Sequence, residues 1–270
     1  LGPVLEKLET DYAGRFILAK LDADQVPQIA GQLSQMLGVR SIPLCVLFHQ
    51  GQPVDGFTGA LPAAEVRAFL DKHVPSAAEA EAQVEEEQAL DALAEGDTDT
   101  ALEKLQHAVA ADPAHDDARF DSVKLLLQLG RGDAAKVAFA LVIAKAGTSR
   151  KLGALKAWMD ALDFVAASAS GAGAGAEFDA KIAANKRDFD ARLGRARWLI
   201  APPRWHDAMD EMHVIPIRDK AWSDEAARKL YVAILEIIEP PKVKVADGQI
   251  PPEDPLVATY RRRLSSVVLS

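Results

Sequence analysis

The sequence has one cysteine, Cys45, among 270 residues. It can therefore close no disulfide within itself and build no cysteine-rich metal site, as expected in a reducing compartment. It has no apolar run near the ~20 residues that span a bilayer, and its start carries no signal-peptide pattern. A cytoplasmic protein with no membrane partner is the expectation. Positive charge is outweighed, 31 Lys and Arg against 40 Asp and Glu for a net −9, and no basic stripe offers a phosphate-binding surface, which excludes nucleic acid. His49, His73, His115, His206 and His213 lack the i, i+4 or carboxylate–histidine clustering of a metal site. They read as exposed or capping residues, so neither metal nor cofactor is expected. Glu79, Glu81, Glu85, Glu86 and Glu87 could pass for paired catalytic carboxylates, but at the start of a helix they suit the macrodipole and solvation. No catalytic residue is assigned.

What is present is ordinary for a globular chain, 49% hydrophobic and 26% charged, with length for two domains. Leu1, Val4, Leu5, Leu8 and Tyr12 fall at helical spacing, with Gly14 placed to cap the helix. Residues 16–21 read as a buried strand, and 25–37 as a helix with Ile29, Leu33 and Met36 inward. Residues 43–49 and 52–58 read as a hairpin around Gln50-Gly51, and Pro62 opens a helix to His73 with Val66, Phe69 and Leu70 on one face. Proline has no N–H for a sheet ladder, so Pro43 should open its strand, where a cis bond fits.

Beyond Pro75 the pattern turns to alanine-rich helix with internal repeats. Gly96 and Gly130 end similar helices 34 residues apart, and Ala101 and Ala135 keep that offset. Ala101, Ala108 and Ala118 let helices approach closely while Leu90, Leu93, Leu102 and Leu105 supply a shared core; such units need neighbours. Asp112-Pro113-Ala114-His115-Asp116-Asp117-Ala118-Arg119-Phe120 recurs 73 residues on as Asn185-Lys186-Arg187-Asp188-Phe189-Asp190-Ala191-Arg192-Leu193. Between these blocks, residues 166–176 are an Ala/Ser/Gly run that reads as a flexible joint. Trp198, Trp205 and Trp222 are expected on helices, Pro202-Pro203 in a turn, the proline-rich residues 239–252 in a surface loop, and a last helix from Asp254-Pro255-Leu256 to Ser270.

Phe16-Ile17-Leu18-Ala19-Lys20-Leu21-Asp22, Arg40-Ser41-Ile42-Pro43 and Gly51-Gln52-Pro53-Val54-Asp55-Gly56-Phe57 resemble the second half of a thioredoxin domain. With Asp224-Glu225-Ala226-Ala227-Arg228-Lys229, Asp254-Pro255-Leu256-Val257 and Tyr260-Arg261-Arg262-Arg263-Leu264, the chain resembles the bacterial chaperedoxin family (YbbN/CnoX-like). The fold class this implies is α/β plus all-α. A thioredoxin-like domain lacking its N-terminal strand-helix-strand would occupy residues 1–75, and a tetratricopeptide-like helical repeat domain residues 76–270. The family's Cys-x-x-Cys would lie just upstream of Leu1, so no dithiol chemistry is assigned to these residues and the chain as it stands is not an enzyme. The resemblance implies a holdase co-chaperone that binds unfolded or oxidised client proteins and passes them to the chaperonin GroEL by its last helix. The alternative it leaves open is a thioredoxin-type thiol-disulfide oxidoreductase with a helical client-selecting extension. Three departures stand out: the absent redox region, the lengthened stretch 239–252, and Pro216 where a helix is expected.

The candidate sites follow. Ile42 and Pro43 could present unpaired backbone to an extended client by strand addition, or Pro43 could only shape the fold. Cys45, between Leu44 and Val46, should be a small buried hydrophobe with a raised pKa. Phe120, Trp158, Phe164 and the three tryptophans could line a client groove or form core. Arg261, Arg262, Arg263 and Leu264 are candidates for partner docking, beside the apolar Val267, Val268 and Leu269.

Overall fold

A computed structural model of the chain describes residues 1–39, 41–168, 173–219, 221–223, 225–240 and 252–268. It divides into two compact units, Leu1–Val84 with Ala110–Asp112, and Glu85–Val109 with Pro113–Ser270.

The first unit holds α1 (Gly2–Asp11), α2 (Pro27–Leu37), β1 (Leu44–His49), β2 (Gln52–Thr58) and α3 (Ala63–Leu70). β1 and β2 form the expected antiparallel hairpin, with Leu44 opposite Thr58, Cys45 opposite Phe57 and an irregularity after Leu47. Gln50 and Gly51 make the turn with φ of 50° and 75°, which glycine adopts without strain. Alternation along the strands sends Leu47 and Phe57 toward a core of Leu8 and Tyr12 from α1, Val66 and Leu70 from α3, and Val74. Phe57 meets Phe69 edge-on at 5.1 Å.

Two expectations fail here. Residues 16–21 form no strand, and Ile17 is 88% exposed. α2 forms, but buries no residue: Ile29 and Met36 are exposed and Leu33 only half-buried. Both failures have one cause. An extended segment becomes a strand only when another strand takes its hydrogen bonds, and a helix face is buried only by an opposing layer. Among the described residues β1 is bonded to β2 alone.

The helices beyond are α4 (Ala77–Glu95), which runs from the first unit into the second, α5 (Thr98–Ala111), α6 (Asp116–Gln128) and α7 (Gly132–Ala140). A 3-10 turn (Ile143–Gly147) leads to α8 (Arg150–Ala167), α9 (Ala174–Ala184), α10 (Phe189–Ile200), α11 (Trp205–Arg218), α12 (Ala226–Ile238) and α13 (Pro255–Val268). The 34-residue period is structural. Gly96 and Gly130 follow α4 and α6 with φ of 82° and 71°, the left-handed cap glycine supplies at no steric cost. Ala101, Ala135 and, 73 residues further, Ala208 have no exposed surface. The later block repeats the earlier in its hydrogen bonds too. His115 and Asp188 each accept the N–H three residues on, from Ala118 and Ala191. Arg119 and Arg192 are both buried and donate to the carbonyls of Pro113 and Lys186.

Of the joint expected at 166–176, the described ends are largely helix and the centre lies outside the described residues. α8 runs to Ala167 and α9 starts at Ala174, with 169–172 outside the described residues. Small side chains here permit packing: Ala174 is buried, and a Cβ on Gly175 would stand 2.8 Å from the Trp198 ring. Trp222 lies in a turn rather than on a helix, while Pro202 and Pro203 turn as expected. α11 continues through Pro216 to Arg218. Arg40, Asp224, Leu269 and residues 241–251 lie outside the described residues.

Candidate functional site: the β1 edge and the last helix

The residues before β1 are set by backbone chemistry. Ile42-Pro43 is a cis peptide bond, and the Pro43 carbonyl accepts the Gly59 N–H at 2.8 Å, tying the mouth of the hairpin. Ile42 is 81% exposed, a large apolar side chain at the start of a strand whose outer edge is bonded to no other strand among the described residues. Cys45 is half-buried on β1, and burial pushes its thiol pKa up, the direction expected from an apolar strand. Gly56, opposite Val46, is required: a Cβ there would stand 2.7 Å from the Cys45 carbonyl oxygen. His73 and Asp55, 2.7 Å apart, tie β2 to the turn after α3, and His73 holds the Asp55 carboxyl below the usual carboxylate range. An uncharged strand with one free edge and an exposed apolar lip can take up an extended chain by main-chain hydrogen bonding.

The last helix begins as its sequence implies, with the Asp254 carboxylate accepting the N–H groups of Leu256 and Val257 at 2.9 and 3.0 Å. Its arginines are largely spent inside the chain. Arg261 pairs with Glu239 and Glu253 at 2.7 and 2.6 Å. Arg263 pairs with Asp210 at 2.7 Å and lies over the Tyr260 ring. Arg262 is the exposed one of the three, donating to the Thr259 hydroxyl at 3.3 Å. Val257 and Tyr260 are buried and Leu264 half-buried. Tyr231 of α12 donates its hydroxyl to the Tyr260 carbonyl at 3.0 Å, and burial raises its pKa far above the usual tyrosine value. His206 of α11 stacks on Tyr260. α13 is thus seated on α11 and α12. The side chains of Val267 and Val268 lie outside the described residues.

Other candidates resolve into structure. Phe120 and Trp158 are core, and Trp205 meets Trp158 edge-on at 4.8 Å; Phe164 stacks on Phe178 at 6.2 Å. The acidic run is only partly a solvated helix start. Glu79 and Ser76 cap each other reciprocally, but Glu85 and Glu86 are half-buried, facing Lys104 and His115 at 3.2 Å each. Burial raises the Glu86 pKa. The pair of buried arginines was not assigned from the sequence, although Ala-Arg stands at the same place in both repeat blocks. Glu211 joins Arg192 at 2.8 Å and Arg195 at 2.6 Å. No cluster of three metal-ligating side chains occurs among the described residues, and none of their helices is long and apolar enough to cross a membrane.

Residues 1–72 match the thioredoxin family model, and residues 92–159 and 168–268 match two tetratricopeptide repeat models. The thioredoxin of Chlorobaculum thiosulfatiphilum is 45% identical over 74 residues, 27% of this chain and 65% of that protein. Thioredoxin 2 of Chlorobaculum tepidum is 45% identical over 74 residues, 27% of this chain and 64% of that protein. A Staphylococcus aureus thioredoxin is 40% identical over 74 residues, 27% of this chain and 67% of that protein. The chain thus spans about two thirds of the length of these curated relatives.

Proposed function

The chain belongs to the thioredoxin family through its first 72 residues and continues into tetratricopeptide repeats, and from that architecture we propose a non-enzymatic holdase co-chaperone that captures unfolding client proteins and delivers them to a chaperonin of the GroEL type. The observation that carries this reading is the opening of β1, where exposed Ile42 leads into a strand with no charged residue and one free edge. An extended client would add to that edge, with Ile42 and Pro43 as the first contacts. The repeats supply a scaffold of stacked helix pairs suited to protein partners, and the exposed Arg262 on α13 is the candidate contact for an acidic partner surface. A cytoplasmic setting fits the single thiol, and activity during oxidative stress is what the resemblance to chaperedoxins implies.

The names of the relatives favour a second reading, thiol–disulfide exchange. Cys45 alone could form a mixed disulfide with a client but could not resolve it within these residues. Light scattering from a heat-unfolded reporter enzyme separates the two. A holdase suppresses aggregation near equimolar ratio, keeps that activity as Cys45→Ala, and loses it as Ile42→Asp. Loss in Cys45→Ala alone would favour the thiol reading, and failure of the wild-type chain to suppress aggregation would remove the holdase reading.

A further inference from the structure

The two repeat blocks enclose the same arginine in different company. Along the 73-residue offset α6 corresponds to α10 and α7 to the first part of α11, and the buried positions agree: Ala118 with Ala191, Leu126 with Leu199, Ala135 with Ala208, Phe139 with Met212. Arg119 and Arg192 coincide, 4% and 8% exposed. In the second block the charge is answered. Glu211 of α11 accepts from Arg192 Nη1 at 2.8 Å and from Arg195, one turn along α10, at 2.6 Å. In the first block Ala138 of α7 stands in the place of Glu211, and buried Ser122 in the place of Arg195. Among the described residues the Arg119 guanidinium donates to the Pro113 carbonyl alone, through Nη2 at 3.0 Å, and its enclosed Nε has no hydrogen-bond partner. Taking a guanidinium out of water is unfavourable unless a counter-charge and acceptors replace its hydration. An enclosed donor left unpaired therefore asks for an explanation.

We propose that the first repeat block binds a carboxylate from outside the chain, held by Arg119 and Ser122 in the place that the Glu211 side chain takes in the second block. The sister block defines the ligand. Its charge is single, because Arg119 is one cation and Ser122 offers a neutral hydroxyl where the second block sets another arginine; a phosphate dianion would be left partly uncompensated. Its shape is planar, since the guanidinium fork matches a carboxylate with two parallel donors. Its size is small, because alanine differs from glutamate by a group the size of acetate. Ala138 and Glu211 are both half-buried, so the place opens at the surface. A free short-chain acid and an acidic side chain of a partner protein carry the same group and differ only in what surrounds it. The site involves neither β1 nor client aggregation, and it stands whether or not the chain is a holdase.

The test follows the Arg119 Nε–H resonance of the full chain, assigned by its loss in Arg119→Lys. Sodium acetate and the blocked peptide Ac-Ala-Glu-Ala-amide are titrated separately, each against sodium chloride at equal ionic strength. At least one carboxylate is expected to shift that resonance saturably where chloride does not. The response should vanish in Ala138→Glu, whose own carboxylate takes the place, and the same substitution should raise the melting temperature by about 2–4 °C by supplying the counter-charge. A response to acetate alone assigns a free acid, a response to the peptide alone assigns a partner's side chain, and a response to both assigns the carboxylate whatever carries it. Equal shifts in chloride, a response undiminished in Ala138→Glu, a lowered melting temperature for that variant, or no shift with either carboxylate overturns the site.

Discussion

At the residue scale, the buried charges set the largest single effects. Arg192 and Glu211 are an almost fully enclosed pair, and Glu211 serves Arg195 as well. Removing one member leaves the other desolvated, so Glu211→Ala should cost about 3–5 kcal/mol, whereas Lys156→Ala, which breaks an exposed pair with Asp160, should cost at most about 1 kcal/mol. Urea unfolding of both variants checks the contrast. The Cys45 thiol should react with an aromatic disulfide reagent more slowly than a free cysteine at neutral pH, and gain rate only above the usual thiol range, because burial raises its pKa. Fast labelling at pH 7 would contradict that placement. Arginine reads in a sequence as surface, which is why Arg119 and Arg192 escaped notice. Each is buried because a carbonyl six residues back folds over its guanidinium.

At the scale of elements, what the sequence made legible is what local spacing decides. The hairpin follows from Gln50-Gly51 between apolar runs, and the repeat from glycine and alanine at fixed offsets, since a left-handed cap and a close helix contact each demand a particular residue. What remained illegible was non-local. Whether residues 16–21 pair, or Ile29 and Met36 are covered, depends on an opposing layer that periodicity does not report. The seat of α13 is likewise a tertiary fact, and it gives a pH dependence. Burial, and then the Arg263 charge, hold the His213 pKa below its ordinary value. The unfolded chain therefore takes up a proton there before the folded one does. Stability is full above the ordinary histidine range, about pH 6.5, and is lost as pH falls toward the lower folded value. His213→Gln should flatten that part of the profile, measured as melting temperature from pH 7.5 to 5.5. Asp254→Ala, which removes the acceptor for two N–H groups at the start of α13, should cost about 1 kcal/mol.

At the scale of the whole molecule, the chain joins a thioredoxin-type hairpin with a free edge to stacked helix pairs, two members of which, α11 and α12, seat the last helix. The client capture proposed for this chain is assigned to β1 and not to a groove of aromatics, because Phe120 and Trp158 are core while Ile42 is open. That division is tested most directly by amide hydrogen exchange of the chain with and without a reduced, unfolded client protein. The account predicts that residues 44–49 gain protection on client binding, that Ile42→Asp abolishes the gain, and that the exchange of α6 and α8 is unchanged. Protection that appears in the helices while β1 exchanges as in the free chain would contradict it.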